Sequence, residues 1–159
     1  MVQCARNMPD TDTKPNGTPP VQFSVMLKNR SGALSSLVRL LRGENIQVIG
    51  LSIQDSRDAA VARLVVSDPD TTMRIFMEKG IPHTTSELCV VALSEAGTGL
   101  ARALDVLRAA ETNLDFAYSL MPHPQGKSLM AMHLEDTQFG MSVLHNAGFK
   151  VYYEEDLIR

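Results

Sequence analysis

The chain has no tryptophan, two cysteines in 159 residues, and no uninterrupted apolar run long enough to cross a bilayer. Each absence removes a class of function. Cys4 and Cys89 lie far apart with no metal-ligand spacing, so neither a disulfide scaffold nor a zinc module is expected. A net charge of −3 gives no basic field for a phosphate backbone, and nucleic acid is therefore not an expected partner. His83, His123, His133 and His145 are scattered, none with a second ligand at metal spacing. No serine sits in a nucleophile elbow and no acid/base pair stands out, so neither catalysis nor a cofactor is expected. Residues 1–20 lack an apolar signal core and carry Pro9, Pro15, Pro19 and Pro20 among small polar residues, the composition of a disordered leader. The expectation is a soluble cytoplasmic protein that makes no membrane contact.

What is present is a well-patterned chain. Val21, Phe23, Val25 and Leu27 alternate with Gln22, Ser24, Met26 and Lys28, the period of a strand buried on one face. Leu34, Leu37, Val38 and Leu41 then recur at helical spacing up to Gly43, read as the C-terminal cap. Between them, Asn29-Arg30-Ser31-Gly32 leaves unpaired backbone N–H groups at a helix start, a small anion site. Asn45 to Gln54 is a second strand whose apolar residues change parity at Ile49-Gly50, so it either bulges there or is covered on both faces. Ala60 to Ser67 is a third strand. Asp68-Pro69-Asp70 opens a second helix with Met73, Phe76 and Met77 on its apolar stripe, Gly80 ends it, and Ile81 to Thr85 is a short fourth strand.

From Glu87 the order begins again. Leu88 to Leu93 reads as strand, Ser94 to Gly99 as turn, and Leu100, Ala103, Leu104 and Leu107 as helix stripe. Leu34 and Leu100 are 66 positions apart, while Asn45 and Asn113, like Gly80 and Gly148, are 68 apart. Asn113 is thereby matched with Asn45. Lys127 to Leu134 repeats the third strand, Met141, Val143 and Leu144 repeat the second helix, and Phe149 to Tyr153 closes the unit. Glu154-Glu155-Asp156 reads as a solvated turn. A period this long indicates a duplicated domain rather than a solenoid. The expected fold class is α+β, two tandem ferredoxin-like βαββαβ sandwiches over residues 21–86 and 87–159, each an antiparallel sheet with helices on one face.

Asn29-Arg30-Ser31-Gly32-Ala33-Leu34, followed by Gly43-Glu44-Asn45-Ile46, resembles the ACT domain. That family is marked by an Asp/Asn-x-Pro-Gly-x-Leu turn and a later Gly-x-Asn-Ile stretch opening the second strand. Residues 21–159 as a whole look like the stand-alone tandem ACT proteins. The resemblance implies a non-catalytic regulatory module that binds a small ligand, most often an amino acid, at an interface between two ACT units. The ligand's carboxylate would take hydrogen bonds from the amides of Ser31, Gly32, Ala33 and Leu34, aided by the helix dipole at about 0.3–1 kcal/mol. Its ammonium would turn to Asn29, Asn45 and carbonyls around Ile49, Gly50 and Leu51, and Arg30 completes the site.

Binding at micromolar level needs about −8 kcal/mol, so a partner surface must close such a site. The second strand, at a sheet edge and free of proline and lysine, is expected to pair there into a larger sheet, within the chain or in a homodimer. The copies differ. Ser31 replaces the family's proline in the first turn, whereas Glu95-Ala96-Gly97-Thr98-Gly99-Leu100 has Gly97-Thr98 in place of Pro-Gly and a negative charge at Glu95. The first turn is thus the expected site. The same resemblance admits a trans-acting regulatory subunit of a partner enzyme, like the acetolactate synthase small subunit, or a tandem-ACT repressor. RNA recognition, the other use of this fold, would need aromatics on the central strands, and Ala60 to Ser67 has none.

Overall fold

The computed structural model describes residues 17–28, 32–55, 59–93, 98–121 and 128–157. The first unit runs β1 (Val21–Lys28), α1 (Ala33–Gly43), β2 (Val48–Asp55), β3 (Ala59–Val66), α2 (Pro69–Glu78) and β4 (His83–Glu87). The second runs β5 (Cys89–Leu93), α3 (Thr98–Ala109), β6 (Leu114–Ser119), β7 (Ser128–Leu134), α4 (Thr137–Asn146) and β8 (Val151–Tyr152), followed by a single turn, α5 (Glu154–Leu157). Each unit forms a four-stranded antiparallel sheet, ordered β2-β3-β1-β4 and β6-β7-β5-β8. This is the ferredoxin-like arrangement, found twice. No described helix is long and apolar enough to cross a membrane.

Alternation decides which face each strand buries. Phe23, Val25, Leu64 and Val66 meet Leu37, Leu41 and Phe76 from the helices, and Cys89, Val91, Met132 and Leu134 do the same with Ala103, Leu107 and Leu144. The opposite faces of the two sheets meet each other. Val65 joins Val90, Leu120, Leu129, Ala131 and Tyr152 in a third buried cluster, giving the order helices, sheet, sheet, helices. A polar knot sits in that contact: the Tyr118 hydroxyl donates to Gln22 Oε1 at 2.7 Å, and Gln22 Nε2 donates to Ser24 and Ser86 at 3.2 and 3.3 Å. The larger continuous sheet expected within the chain is not formed. β2 and the end of β6 share one antiparallel bridge, Gly50 with Leu120, because back-to-back stacking turns the rest of the two edges apart.

The parity change in β2 is a bulge at Ile49, and β6 carries its counterpart at Asp115. Every long helix closes on the same hydrogen bonds. The amides of Ile46, Ile81, Thr112 and Phe149 reach back to the carbonyls of Leu41, Phe76, Leu107 and Leu144 at 2.9–3.0 Å. The left-handed residue this closure requires is Asn45 (φ 58), Gly80 (φ 64), Glu111 (φ 54) or Gly148 (φ 93). Gly43 is therefore the last helical residue and Asn45 the closing one. By the same bonds Asn45 matches Glu111, and Asn113 matches Gln47, since the carbonyls of Gln47 and Asn113 accept from Ser67 and Glu135. The two-residue drift of the repeat thus falls after β6, not before it.

The α2 stripe is shifted by one position from the expected one. Thr72, Ile75 and Phe76 are buried while Met77 is 70% exposed and Met73 also reaches solvent. Leu104 of α3 is likewise exposed. Residues 154–156 belong to α5 rather than to a solvated turn; the helix buries Leu157 in the cluster that holds Tyr152 and places the Glu154 amide on the Thr18 carbonyl at 2.9 Å. The Pro20 carbonyl accepts from the Leu88 amide at 2.8 Å. β4 covers 83–87 rather than 81–85 because residues 79–81 are used in closing α2.

The start of α2 is as expected, with Pro69 in the first turn, and Asp68 proves to be its cap. Asp68 accepts from the Thr71 amide at 3.1 Å and from its hydroxyl at 2.6 Å, and these bonds hold the carboxyl below its ordinary range. Asp68→Ala is expected to cost about 1 kcal/mol at neutral pH. Because the folded pKa is lowered, the cap's contribution is complete above the unfolded value and disappears as pH falls through the folded one. Urea unfolding of both proteins should show a gap that closes in acid.

Candidate functional site

The geometry of the first turn begins at Gly32; Asn29, Arg30 and Ser31 lie outside the described residues. Gly32 occupies the cap position of α1 with φ 90 and ψ −6, a left-handed conformation that glycine adopts without strain. Its carbonyl accepts the first helical bond, from Ser36 N at 2.9 Å, so the amides of Ala33, Leu34 and Ser35 precede the ladder. Among the described residues no side chain caps them, and no acidic residue sits in this turn. The starts of α2 and α4 contrast with this, for Asp68 and Asp136 each accept an amide from their own first turn. An exposed, uncapped helix start offers three N–H donors and the positive end of a dipole to an anion.

The other expected site residues do not gather around that turn within the chain. Asn45 closes the far end of α1, beyond an 11-residue helix about 16 Å long at a rise of about 1.5 Å per residue. The Ile49 carbonyl is occupied, accepting from the Met121 amide of the second unit at 2.8 Å. Gly50 is buried against Leu120, whose side chain fills the place a Cβ would take. Leu51 packs into the helix-side core. Gly32, Ala33 and Leu34 stay together, and Asn45, Ile49, Gly50 and Leu51 lie toward the opposite end of the sheet.

What shares the turn's end is the far end of β2. Asp55 pairs with Ala60 and Lys28 with Ala59, which brings Ile53, Gln54 and Asp55 level with the end of β1. Ile53 is 50% exposed, an apolar side chain on the open edge. Topology alone could have found it, since in β-α-β-β order the first and third connections leave the sheet at the same end. The second turn, residues 94–97, lies outside the described residues, and Thr98 is the first residue of α3.

Groups with reactive chemistry are engaged in structure. Burial pushes the Cys89 thiol up to about 12, leaving it protonated at neutral pH and unsuited to nucleophilic work. His83 packs against Phe23 and Phe76 with Nδ1 on the Ile81 carbonyl at 2.8 Å. His133 stacks on Phe116 and pairs with Asp115 at 2.8 Å, and Arg63 of the first unit lies over the same Phe116 ring, 3.9 Å from its centre. Among the described residues, no group of three or more His, Cys, Asp or Glu is placed to hold a metal.

Comparison with known proteins gives a coherent set. A family model described as an ACT domain pair matches residues 20–158. A solved protein from Bacteroides thetaiotaomicron has a similar structure, with 22% identity, a TM-score of 0.82, and coverage of 91% of this chain and 99% of that one. The regulatory subunit of aspartate kinase from Thermus thermophilus matches at 10% identity and a TM-score of 0.57, over 84% of this chain and 95% of its own. The corresponding subunit from Thermus flavus matches at 12% and 0.53, over 82% and 93%. No curated protein sequence matches the chain.

Proposed function

This chain belongs to the ACT domain pair family, and from that premise we propose that it is a non-catalytic regulatory module that senses an amino acid at the turn opening α1. The observation that carries this is the helix start itself: three amides with, among the described residues, no cap and no acidic neighbour, and a left-handed glycine exposed beside them. A carboxylate placed there completes bonds that no described residue of the chain makes. The ammonium and side chain are held by a second copy of the chain, docked on the outer edge of β2 at its far end, past the Ile49 and Gly50 positions that Met121 and Leu120 already occupy. That edge has Ile53 exposed at the same end as the turn and carries neither proline nor lysine, the character of an edge that pairs.

A thermal-shift screen of the common amino acids tests the reading. One of them, at about a hundredfold excess over its dissociation constant, should add about 2.7 kcal/mol and raise the midpoint by roughly 5 °C or more. If none moves it, the amino-acid reading fails. Sedimentation tests the homodimer, which a monomer at working concentration would rule out. The two Thermus neighbours, regulatory subunits of aspartate kinase, favour a second reading in which this chain biases a separate enzyme by about 1–3 kcal/mol. A large partner retained in pull-down from the native host would support it.

A further inference from the structure

A shallow cavity of about 350 Å³, largely open to solvent, lies at the foot of the second unit, where α3 ends and β6 begins. Its size falls within the range of small-molecule sites, about 300–1,000 Å³. Leu107 and Leu114 give it an apolar floor with Leu104 on the rim, and Arg108 and Glu111 place opposite charges beside them. The Arg108 guanidinium is 3.7 Å from Asp105, a contact between two well-exposed side chains that holds it weakly.

The first unit shows how this place came open. Hydrogen bonding superimposes Thr112 on Ile46 and Glu111 on Asn45. Ile46 is 3% exposed and part of the first core, so at the matching point the second unit has a shorter, polar side chain where the first has an aliphatic plug. Glu111 is also held at φ 54, where glycine or asparagine would be easier. That conformation closes α3 as Asn45 closes α1, and it leaves Glu111 at the mouth of the cavity.

We propose that this cavity binds a small aliphatic α-amino acid as its zwitterion. The carboxylate lies on Arg108, the ammonium on Glu111, and the side chain on Leu104, Leu107 and Leu114. The site stands at the opposite end of its unit from the β5–α3 turn and is independent of the turn at Gly32. Its complementary rim charges select against ligands that carry only one of the two groups.

The full chain, labelled with nitrogen-15 and titrated with L-leucine, should show saturable amide shifts over residues 104–114. Arg108→Ala should weaken that binding about tenfold, as loss of one charge-assisted contact does. 4-Methylpentanoate, which lacks the ammonium, should bind about tenfold more weakly than leucine and be indifferent to Glu111→Gln. Thr112→Ile, which installs the first unit's own plug, should abolish the shifts in a folded protein. Saturable shifts confined to the neighbourhood of Gly32 would overturn this site while leaving the function proposed for the turn intact. The absence of saturable shifts at 104–114, or their survival unchanged in Thr112→Ile, would also overturn it.

Discussion

Phe23→Ala is expected to destabilise the chain by about 3–5 kcal/mol, the range for removing a fully buried ring. Phe23 is wholly inaccessible at the centre of the first sheet, opposite Leu64, with the Phe76 ring edge-on at 5.6 Å and 86° and the His83 ring at 6.0 Å. Neighbours on three elements lose contacts together, and strand and helix cannot close on the gap without breaking β1's pairing with both β3 and β4. A domain of this size has about 5–15 kcal/mol to lose, so the variant sits near the limit of folding.

The same substitution asks whether the two units unfold as one. All three tyrosines, Tyr118, Tyr152 and Tyr153, lie in the second unit, so their near-ultraviolet signals report on that unit while the change is made in the first. The cluster around Val65, Val90 and Ala131, together with the Tyr118–Gln22 bond, gives each sheet a face that only the other covers. Tyrosine and backbone signals should therefore move together in Phe23→Ala as in the parent protein. If the tyrosine transition stays at its original midpoint, the back-to-back contact does not couple the units.

That contact is the least legible part of the chain. Gln22, Ser24 and Arg63 alternate with apolar residues in the way solvent-facing positions do, and their sequence is silent about the Tyr118 hydroxyl and Phe116 ring that meet them. Within a unit, alternation and helical spacing are enough to place every strand and long helix, and a single parity change locates the bulge at Ile49. Where sequence and structure part, backbone hydrogen bonding outranks residue type. Helix closure needs a left-handed residue and two bonds, which Asn45 and Glu111 supply equally, so matching asparagine to asparagine misaligns the copies by two. Thr72 enters the core because its hydroxyl donates to the Asp68 carbonyl at 2.8 Å, so a polar residue takes the position expected for Met73. Of the candidate site, the uncapped turn is readable from local chemistry. Its neighbours on β2 are not, because they depend on which end of an edge strand faces the turn.

Gly32→Asp is expected to weaken amino-acid binding by roughly thirtyfold or more, about 2 kcal/mol, and Gly32→Ala is the control that gives the result its meaning. Any side chain at φ 90 is strained, and a Cβ there meets open space, so both variants carry the same backbone penalty and neither blocks the site by bulk at that atom. They differ in charge. The carboxylate introduced by Gly32→Asp would lie beside the amides of Ala33 and Leu34, where the ligand's own carboxylate is proposed to sit; like charges about 4 Å apart repel by about 4 kcal/mol at an effective dielectric constant of about 20, and less at an exposed turn. A negative charge at a helix start also stabilises the helix by about 0.3–1 kcal/mol. The two effects run in opposite directions. Without ligand, Gly32→Asp should melt above Gly32→Ala; with the amino acid that stabilises the parent protein, Gly32→Ala should still respond while Gly32→Asp should not. A charge that merely perturbed folding would move both readings the same way. Equal responses of the two variants to the ligand would place its carboxylate somewhere other than the amides that open α1.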